Sequence, residues 1–283
     1  MRDQASEARQ VLRLVKGQPT SDGDGVKLTR LIGNRALDAL DPFLLLDEFR
    51  SAEGADYIGG FPDHPHRGFE TVTYMLAGRI RHADNHGHSG LLRAGSVQWM
   101  TAGRGIVHSE MPEQENGLMW GFQLWVDLPA AEKMTVPRYQ EFEPEAVPII
   151  DQPGGARLRV VAGKIGAIEG PVRGIATDPR FIDVALAPGG SFALDLPPEH
   201  NAFVYPFDGE AQIGEAASPV SRGTLAVLGP GERIVLKGGA APARLLLAAA
   251  RPLDQPVARY GPFVMNTPEQ IRQAIADYNA GRF

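Results

Sequence analysis

Cysteine is absent from this chain of 283 residues. A disulfide framework, a zinc ribbon and thiolate catalysis are therefore all excluded. Any bound metal ion must take its ligands from histidine and carboxylate side chains, which the chain supplies as seven histidines and 34 acidic residues.

Long apolar runs and an excess of positive charge are also missing. Charged residues such as Arg9, Arg13 and Lys16 interrupt the N-terminal segment, and no stretch approaches the ~18 apolar residues of a membrane-spanning helix. We therefore expect a soluble, cytoplasmic protein with no membrane partner. The formal net charge of −6 speaks against direct binding to nucleic acid, which requires a basic surface.

The sequence is rich in turn-forming residues, with 33 glycines and 23 prolines. Between them lie short runs of β-branched and aromatic residues, among them FETVTYML (69–76), SVQWMTA (96–102) and MWGFQLWVDL (119–128). Turn signals recur between such runs every 8–12 residues or so, which is typical of a β-sandwich or barrel. The polar segment RHADNHGHSG (81–90) is predicted to be a turn between two strands.

The composition changes over residues 129–156, where prolines and charges replace the β pattern, and we interpret this segment as a linker. Strand-like runs resume from RLRVVAGKI (157–165) to ARLLLAAA (243–250). These features predict two β-domains, residues 1–140 and residues 141–283. The chain should end in one short helix, because Thr267, Pro268 and Gln270 form a capping-box pattern ahead of apolar residues at helical spacing.

Two histidine-containing motifs carry the candidate chemistry. His64 and His66 lie two residues apart in HPHRGFE (64–70), and His108 and Glu110 have the same spacing in HSE (108–110). Residues i and i+2 of a strand project from the same face, so each pair could converge on one ion. Three nitrogens and one oxygen would leave two open positions in an octahedral transition-metal site.

Each motif also has a simpler interpretation. A single HxH pair often arises by chance, and HSE alone is more often a surface turn. His82, His86 and His88 form a rival cluster, but their polar segment indicates solvent-facing turn residues. The isolated His200 is interpreted as structural.

Longer stretches of sequence resemble a known family. The segments GFPDHPHRGFETVTYMLAGRIRHADNHGHSG (60–90) and GSVQWMTAGRGIVHSEMP (95–112) closely resemble the pirins, which are bicupins. DPFLLLDEF (41–49) and YGPFVMNT (260–267) are similar to pirin segments as well. The resemblance implies an all-β protein of two cupin barrels in tandem with a short C-terminal helix. It also implies that only the N-terminal barrel binds metal.

The resemblance bears on the choice of the carboxylate ligand. General cupins carry G-x5-HxH-x3-E-x6-G, which His64, His66 and Glu70 fit, and they often use that glutamate as a ligand. Pirins pair HxH with HxE instead. The resemblance thus implies His64, His66, His108 and Glu110 as ligands of one divalent ion, which it implies to be Fe(II). Glu70 could instead be a supporting partner of a ligand histidine.

Pirins are associated with quercetin 2,3-dioxygenase activity, in which O2 cleaves the central ring of a flavonol. The resemblance implies a planar aromatic substrate and O2 as partners, with Glu110 as the general base. Apolar residues near the motifs, Phe61, Trp99, Met119 and Phe122, could line such a site, although we interpret them first as core. The alternative is a non-enzymatic, redox-sensitive iron-binding regulator that acts through protein–protein contacts.

Overall fold

A computed structural model of the chain describes residues 7–283. It divides the chain into two compact units. The first unit comprises Gln18–Ala146 together with Leu253–Phe283, and the described part of the second unit comprises residues 7–17 together with Val147–Pro252.

Nearly all regular structure in the described residues is β. The first twelve strands are β1 (Val11–Lys16), β2 (Gln18–Asp22), β3 (Val26–Ile32), β4 (Phe43–Ser51), β5 (Phe61–His66), β6 (Phe69–Ala77), β7 (Arg79–Asp84), β8 (Ser89–Arg93), β9 (Val97–Thr101), β10 (Ile106–Pro112), β11 (Met119–Asp127) and β12 (Arg138–Phe142). The next strands are β13 (Ile149–Gln152), β14 (Ala156–Ala162), β15 (Lys164–Ile165), β16 (Ile168–Glu169), β17 (Arg180–Leu186), β18 (Ser191–Asp195) and β19 (Asn201–Asp208). The last elements are β20 (Glu210–Ile213), β21 (Ser218–Ser221), β22 (Thr224–Leu228), β23 (Arg233–Gly238), β24 (Ala243–Ala250), β25 (Ala258–Tyr260), β26 (Phe263–Met265) and the helix α1 (Pro268–Asn279). Gly54–Asp56 and Pro144–Ala146 form single turns of 3-10 helix.

The first unit is a sandwich of two antiparallel sheets. One sheet has the order β12-β9-β6-β11-β4-β3-β2, and the other has the order β5-β10-β7-β8. Met75 and Met119 of the larger sheet are buried in one cluster with Ile80 and Leu92 of the smaller sheet. Apolar residues therefore alternate inward from both sheets and close the sandwich, as the runs of β-branched and aromatic residues predict.

The second unit repeats this plan. Its seven-stranded sheet has the order β1-β22-β19-β24-β17-β14-β13, and its four-stranded sheet has the order β18-β23-β20-β21. A single large core fills it, to which Val184 and Leu247 contribute from the larger sheet and Ile213 and Leu236 from the smaller one. The expected all-β architecture with two barrel-like halves is confirmed.

The unit boundaries differ from the expected split into residues 1–140 and 141–283. Strand β1 pairs with β22 and so joins the sheet of the second unit. The C-terminal residues belong to the first unit, where the Val264 amide donates to the Arg67 carbonyl at 3.0 Å. Pairings between residues some 200 positions apart leave no trace in local composition. A division of the chain into two contiguous segments, made from composition, therefore could not include them.

The presumed linker over residues 129–156 contains regular structure. Strand β12 pairs with β9 in the first unit, and β13 pairs with β14 in the second. The boundary itself lies between Ala146 and Val147 within this segment. Prolines there mark the ends of short edge strands, which tolerate proline because one side of such a strand carries no ladder bonds.

The terminal helix is present, with the predicted cap. The Thr267 hydroxyl accepts from the Gln270 amide at 3.3 Å, and the Gln270 side chain accepts from the Thr267 amide at 3.1 Å. Ile271 and Ala274 are the buried residues of this helix. Across residues 7–283 no helix has both the length and the apolar composition that a transmembrane segment needs.

Candidate metal centre

Strands β5 and β10 bring three histidines together in the first unit. The two strands are antiparallel neighbours, and His108 lies directly opposite His64 in their register. His66 follows on the same face of β5 as His64, because side chains two residues apart on a strand project the same way. One ring nitrogen from each of the three histidines lies within 4.8 Å of the corresponding nitrogens of the other two.

The spacing of these nitrogens fits a metal ion. Nε2 of His64 lies 3.0 Å from Nε2 of His66. Two nitrogens at about 2.1 Å from one ion, at a right angle, are about 3 Å apart. The ring centroid of His108 lies 4.5 Å from that of His64 and 5.0 Å from that of His66. The three rings therefore surround one point, as ligands of a single ion do.

The hydrogen bonds and protonation of the rings also suit coordination. Nδ1 of His64 lies 2.8 Å from the Pro62 carbonyl and donates to it, so Nε2 carries the lone pair. Neither ring nitrogen of the buried His108 has a hydrogen-bond partner among the described residues. Burial lowers the pKa of His66 and that of His108 well below the ordinary value, and the neighbouring histidines lower them further. Neutral imidazoles with unused nitrogens are what a metal ion binds.

Glu110 is buried beside this group but is not one of the three residues that converge. The register of β10 against β5 shifts between His108 and Glu110, which places Glu110 opposite Phe61. Its carboxylate accepts from the Thr73 hydroxyl at 2.8 Å and from the Gln123 side-chain amide at 3.0 Å. These two bonds hold the carboxylate in a fixed orientation on the wall of the cavity that His64 and His66 also line.

Glu70 lies away from the histidines. The neighbouring Phe69 packs against His66, with ring centroids 5.0 Å apart, so alternation along β6 turns Glu70 to the opposite face. There Glu70 is buried and accepts a 2.6 Å hydrogen bond from the Thr101 hydroxyl. Burial raises the pKa of Glu70 to about 7, although the Thr101 bond and the charge of Arg138 oppose that rise. Its hydrogen bond supports Thr101 rather than a histidine.

A cavity of about 400 Å³ opens onto His64 and His66, and its volume is within the range of small-molecule sites. Its walls combine apolar and charged side chains of the first unit: Asp22, Gly23, Leu28, Arg30, Leu45, Asp47, Phe49, Phe61, Pro62, His64, His66, Glu110, Gln123, Trp125, Arg259, Gly261 and Pro262. The indole of Trp125 packs against His66, with ring centroids 5.3 Å apart. Of these residues, only His64, His66, Glu110 and Phe61 could be picked out from the sequence, because the others come from segments far apart in the chain.

The apolar residues near the motifs and His82 lie in different surroundings. Trp99, Met119 and Phe122 are buried and do not line the cavity, whereas Phe61 does. His82 is not the exposed turn residue that we expected, since its ring is buried and its Nε2 lies 2.6 Å from a Glu141 carboxylate oxygen.

The remaining histidines are His86, His88 and His200. The first two are exposed, as expected. His200 is buried in the second unit, where its carbonyl accepts from the Arg9 guanidinium at 2.6 Å. Within residues 7–283, the group of His64, His66 and His108 is the one cluster of three potential metal ligands that the structure forms.

Comparison with known proteins identifies the family. The model of the pirin domain matches residues 25–126, and the model of the pirin C-terminal cupin domain matches residues 181–283. The chain belongs to the pirin family. A pirin-like protein of Caulobacter vibrioides is 48% identical over 97% of this chain and 99% of its own length. Human pirin is 40% identical over 96% of this chain and 92% of its own.

Solved structures agree with this placement. The crystal structure of a protein named quercetin 2,3-dioxygenase from Acinetobacter baumannii superposes with a TM-score of 0.89. It shares 33% identity and covers 98% of both chains. The two pirin units are therefore cupin domains, as the resemblance implied. The three-histidine group of the first unit is suited to a divalent metal ion.

Proposed function

We propose that this pirin is a metal-dependent quercetin 2,3-dioxygenase that binds its ion through His64, His66, His108 and Glu110. The observation that carries the proposal is the convergence of three buried or half-buried imidazoles, two of which, His64 and His66, line a substrate-sized cavity. Glu110 lines the same cavity as His64 and His66 and would complete an N3O ligand set. The name of the related Acinetobacter baumannii protein supports the reaction.

The bound ion, which we propose to be Fe(II), would supply an electrophilic centre with open positions for substrate and O2. The ligand set accepts other first-row metals as well, and the choice of iron follows the family. Fixed ligand geometry comes from the hydrogen bonds of Thr73 and Gln123 to Glu110 and from the bond of His64 to the Pro62 carbonyl. Such outer contacts orient ligands and tune their affinity.

The cavity walls suit a planar aromatic substrate. Phe61 and Trp125 present ring surfaces, and Leu28, Leu45 and Phe49 add apolar surface. These groups would flank a flavonol and exclude water from the ring that is cleaved.

Glu110 is placed to act as the base. Each of its oxygens accepts one hydrogen bond, from Thr73 or from Gln123, and so keeps a second lone pair. One of these two remaining lone pairs would bind the ion, and the other would accept the proton of the flavonol 3-hydroxyl group. The Thr73 hydroxyl and the Gln123 amide would then help to hold the protonated carboxyl group in place.

The proposal is tested with protein loaded anaerobically with iron and then mixed with quercetin and O2. We expect one equivalent of metal per chain, consumption of O2 and loss of the flavonol absorbance. His108→Ala should lose the metal, and Glu110→Gln should lose most of the turnover. His88→Ala is the matched control, because this exposed histidine lies outside the cavity. A fully metal-loaded protein that leaves quercetin intact would refute the dioxygenase assignment.

A further inference from the structure

The cavity contains two guanidinium groups with different surroundings. Arg30 donates to both oxygens of Asp47, at 2.9 and 2.7 Å, and to Asp22 at 2.8 Å. Its charge is thus neutralised within the protein. Arg259 forms no such pair: no carboxylate of the described residues lies within ion-pair distance of its guanidinium, although Asp38, Asp47 and Asp22 act on it from farther away.

The contacts of Arg259 position it but leave most of its donors available. Its Nη1 donates to the Leu44 carbonyl at 3.2 Å, and its Cζ lies 5.0 Å from the ring centroid of Trp125. An arginine carries five N–H donors in a planar fork that matches a carboxylate. Because the indole of Trp125 also contacts His66, the guanidinium lies one ring away from the histidine group.

The hairpin of β25 and β26 carries this arginine to the cavity. Gly261 and Pro262, which connect the two strands, line the cavity together with Arg259. Desolvation lowers the pKa of Arg259, and the positive charge of Arg30 lowers it further. An arginine nevertheless stays protonated, so a partly desolvated positive charge faces the space where a substrate would lie.

We propose that Arg259 is a specificity-determining residue that recognises a carboxylate on an aromatic substrate whose vicinal oxygens face the metal centre. This inference rests on the proposed function for the orientation of the substrate, and it extends that function from neutral flavonols to aromatic carboxylates. The apolar walls accept the ring, the histidine centre takes the vicinal oxygens, and Arg259 pairs with the carboxylate at the other end.

A simpler role for Arg259 is packing on Trp125 through a cation–π contact. The two roles differ in what they predict for charged and neutral ligands. Packing alone would affect both kinds of ligand equally, whereas recognition by Arg259 favours the anion.

The test uses caffeate and its methyl ester, which share the catechol. The ester differs in that a methyl group caps the carboxylate and removes its charge. Isothermal titration calorimetry at pH 7.5 gives both dissociation constants for zinc-loaded protein, in which no turnover occurs. We expect caffeate to bind about tenfold more tightly than the ester. The preference should persist in metal-free protein, although both ligands should bind more weakly there.

Variants of two arginines separate the charge of Arg259 from its packing. Arg259→Met should abolish the preference, so that the two ligands bind about equally, without changing the affinity for the ester. Arg259→Lys should keep a preference of about threefold for caffeate, because lysine retains the charge but lacks the planar fork of donors. Arg50→Met is the matched control, since Arg50 stacks on Trp120 with its Cζ 4.0 Å from the ring centroid but lies outside the cavity. This control should keep the full preference.

Several results would overturn the inference. These are equal binding of the two ligands to the wild-type protein, an unchanged preference in Arg259→Met, an equal loss of both ligands in that variant, or no binding of either ligand. If Arg259→Met does not fold, the Arg259→Lys variant decides. A tenfold preference in Arg259→Lys, equal to that of the wild-type protein, would show that the guanidinium fork does not recognise the carboxylate. None of these results depends on the bleaching of quercetin by the wild-type protein, so the inference and the dioxygenase assignment can fail separately.

Discussion

Substitution of the buried Glu70 by glutamine should make the stability of the first unit less dependent on pH. Only 2% of this side chain is exposed, and burial raises its pKa from 4.5 to about 7. Below pH 4.5 both the folded and the unfolded chain carry the proton, so ionisation of Glu70 costs nothing. Between pH 4.5 and pH 7 the unfolded chain releases the proton while the folded chain keeps it, and stability falls as the pH rises.

The size of this loss follows from the shift in pKa. Each pKa unit corresponds to about 1.4 kcal/mol, so the shift costs about 3 kcal/mol once the pH exceeds 7, and roughly 2.5 kcal/mol of it arises between pH 5 and pH 8. Glutamine cannot ionise, and its oxygen can still accept the hydrogen bond from Thr101. The stability of Glu70→Gln relative to wild type should therefore rise by about 2.5 kcal/mol over this interval.

Urea unfolding followed by tryptophan fluorescence measures this difference. The three tryptophans, Trp99, Trp120 and Trp125, all lie in the first unit, so the signal reports on the unit that contains Glu70. Metal-free protein in excess chelator removes the contribution of metal binding. Subtracting the unfolding free energy of the wild type from that of the variant at each pH also cancels the contribution of the histidines, because His66 and His108 titrate equally in both proteins.

Glu53→Gln serves as the control, because Glu53 is exposed. Its unfolding free energy should differ from that of the wild type by the same amount at pH 5 and at pH 8. A difference between Glu70→Gln and wild type that stays constant within about 0.5 kcal/mol from pH 5 to pH 8 would refute the reasoning, since it would mean that Glu70 is ionised in the folded protein.

Three further substitutions test other contacts of the first unit. Thr73→Val removes one of the two donors to Glu110 and should weaken metal binding about tenfold with the fold intact, as measured by competition with a chelator; an unchanged affinity would contradict the proposed role of Glu110 as a ligand. Asp127→Asn should cost about 3 kcal/mol of unfolding free energy in urea, because Lys133 is buried and its ammonium lies 2.6 Å from the Asp127 carboxylate. A loss below about 1 kcal/mol would show that the Gly68 and Val264 carbonyls, to which the ammonium also donates, can stabilise the lysine without the carboxylate. Thr267→Ala should cost about 1 kcal/mol in the same assay through loss of the helix cap, and Thr267→Ser should restore most of it.

The local chemistry of this pirin is readable from its sequence. Strand alternation fixes the direction of neighbouring side chains, so His64 and His66 had to share a face wherever β5 lay in the fold. The same is true of the capping box that begins α1, because its bonds join residues three positions apart. The family resemblance extended these local inferences to the two cupin domains and to the expectation that one of them binds metal.

Contacts between distant segments were decided only by the tertiary structure. The pairing of β1 with β22 and the placement of α1 in the first unit overrode a division of the chain by composition. His82 lies in a polar segment, yet it is buried because β7 pairs with β10 and places it opposite Glu110. Pairing in a sheet depends on the register between strands, which the residues of one strand do not encode alone.

The cavity shows the same division between local and tertiary information. The sequence by itself determined which residues could bind a metal ion, because ligand chemistry belongs to the side chain and its nearest neighbours. Only the fold decided that Thr73 and Gln123 orient Glu110, that Glu70 faces away, and that Arg259 comes from the far end of the chain to the same cavity. Those relations arise when strands remote in sequence pack side by side, and the free energy of that packing belongs to the whole unit.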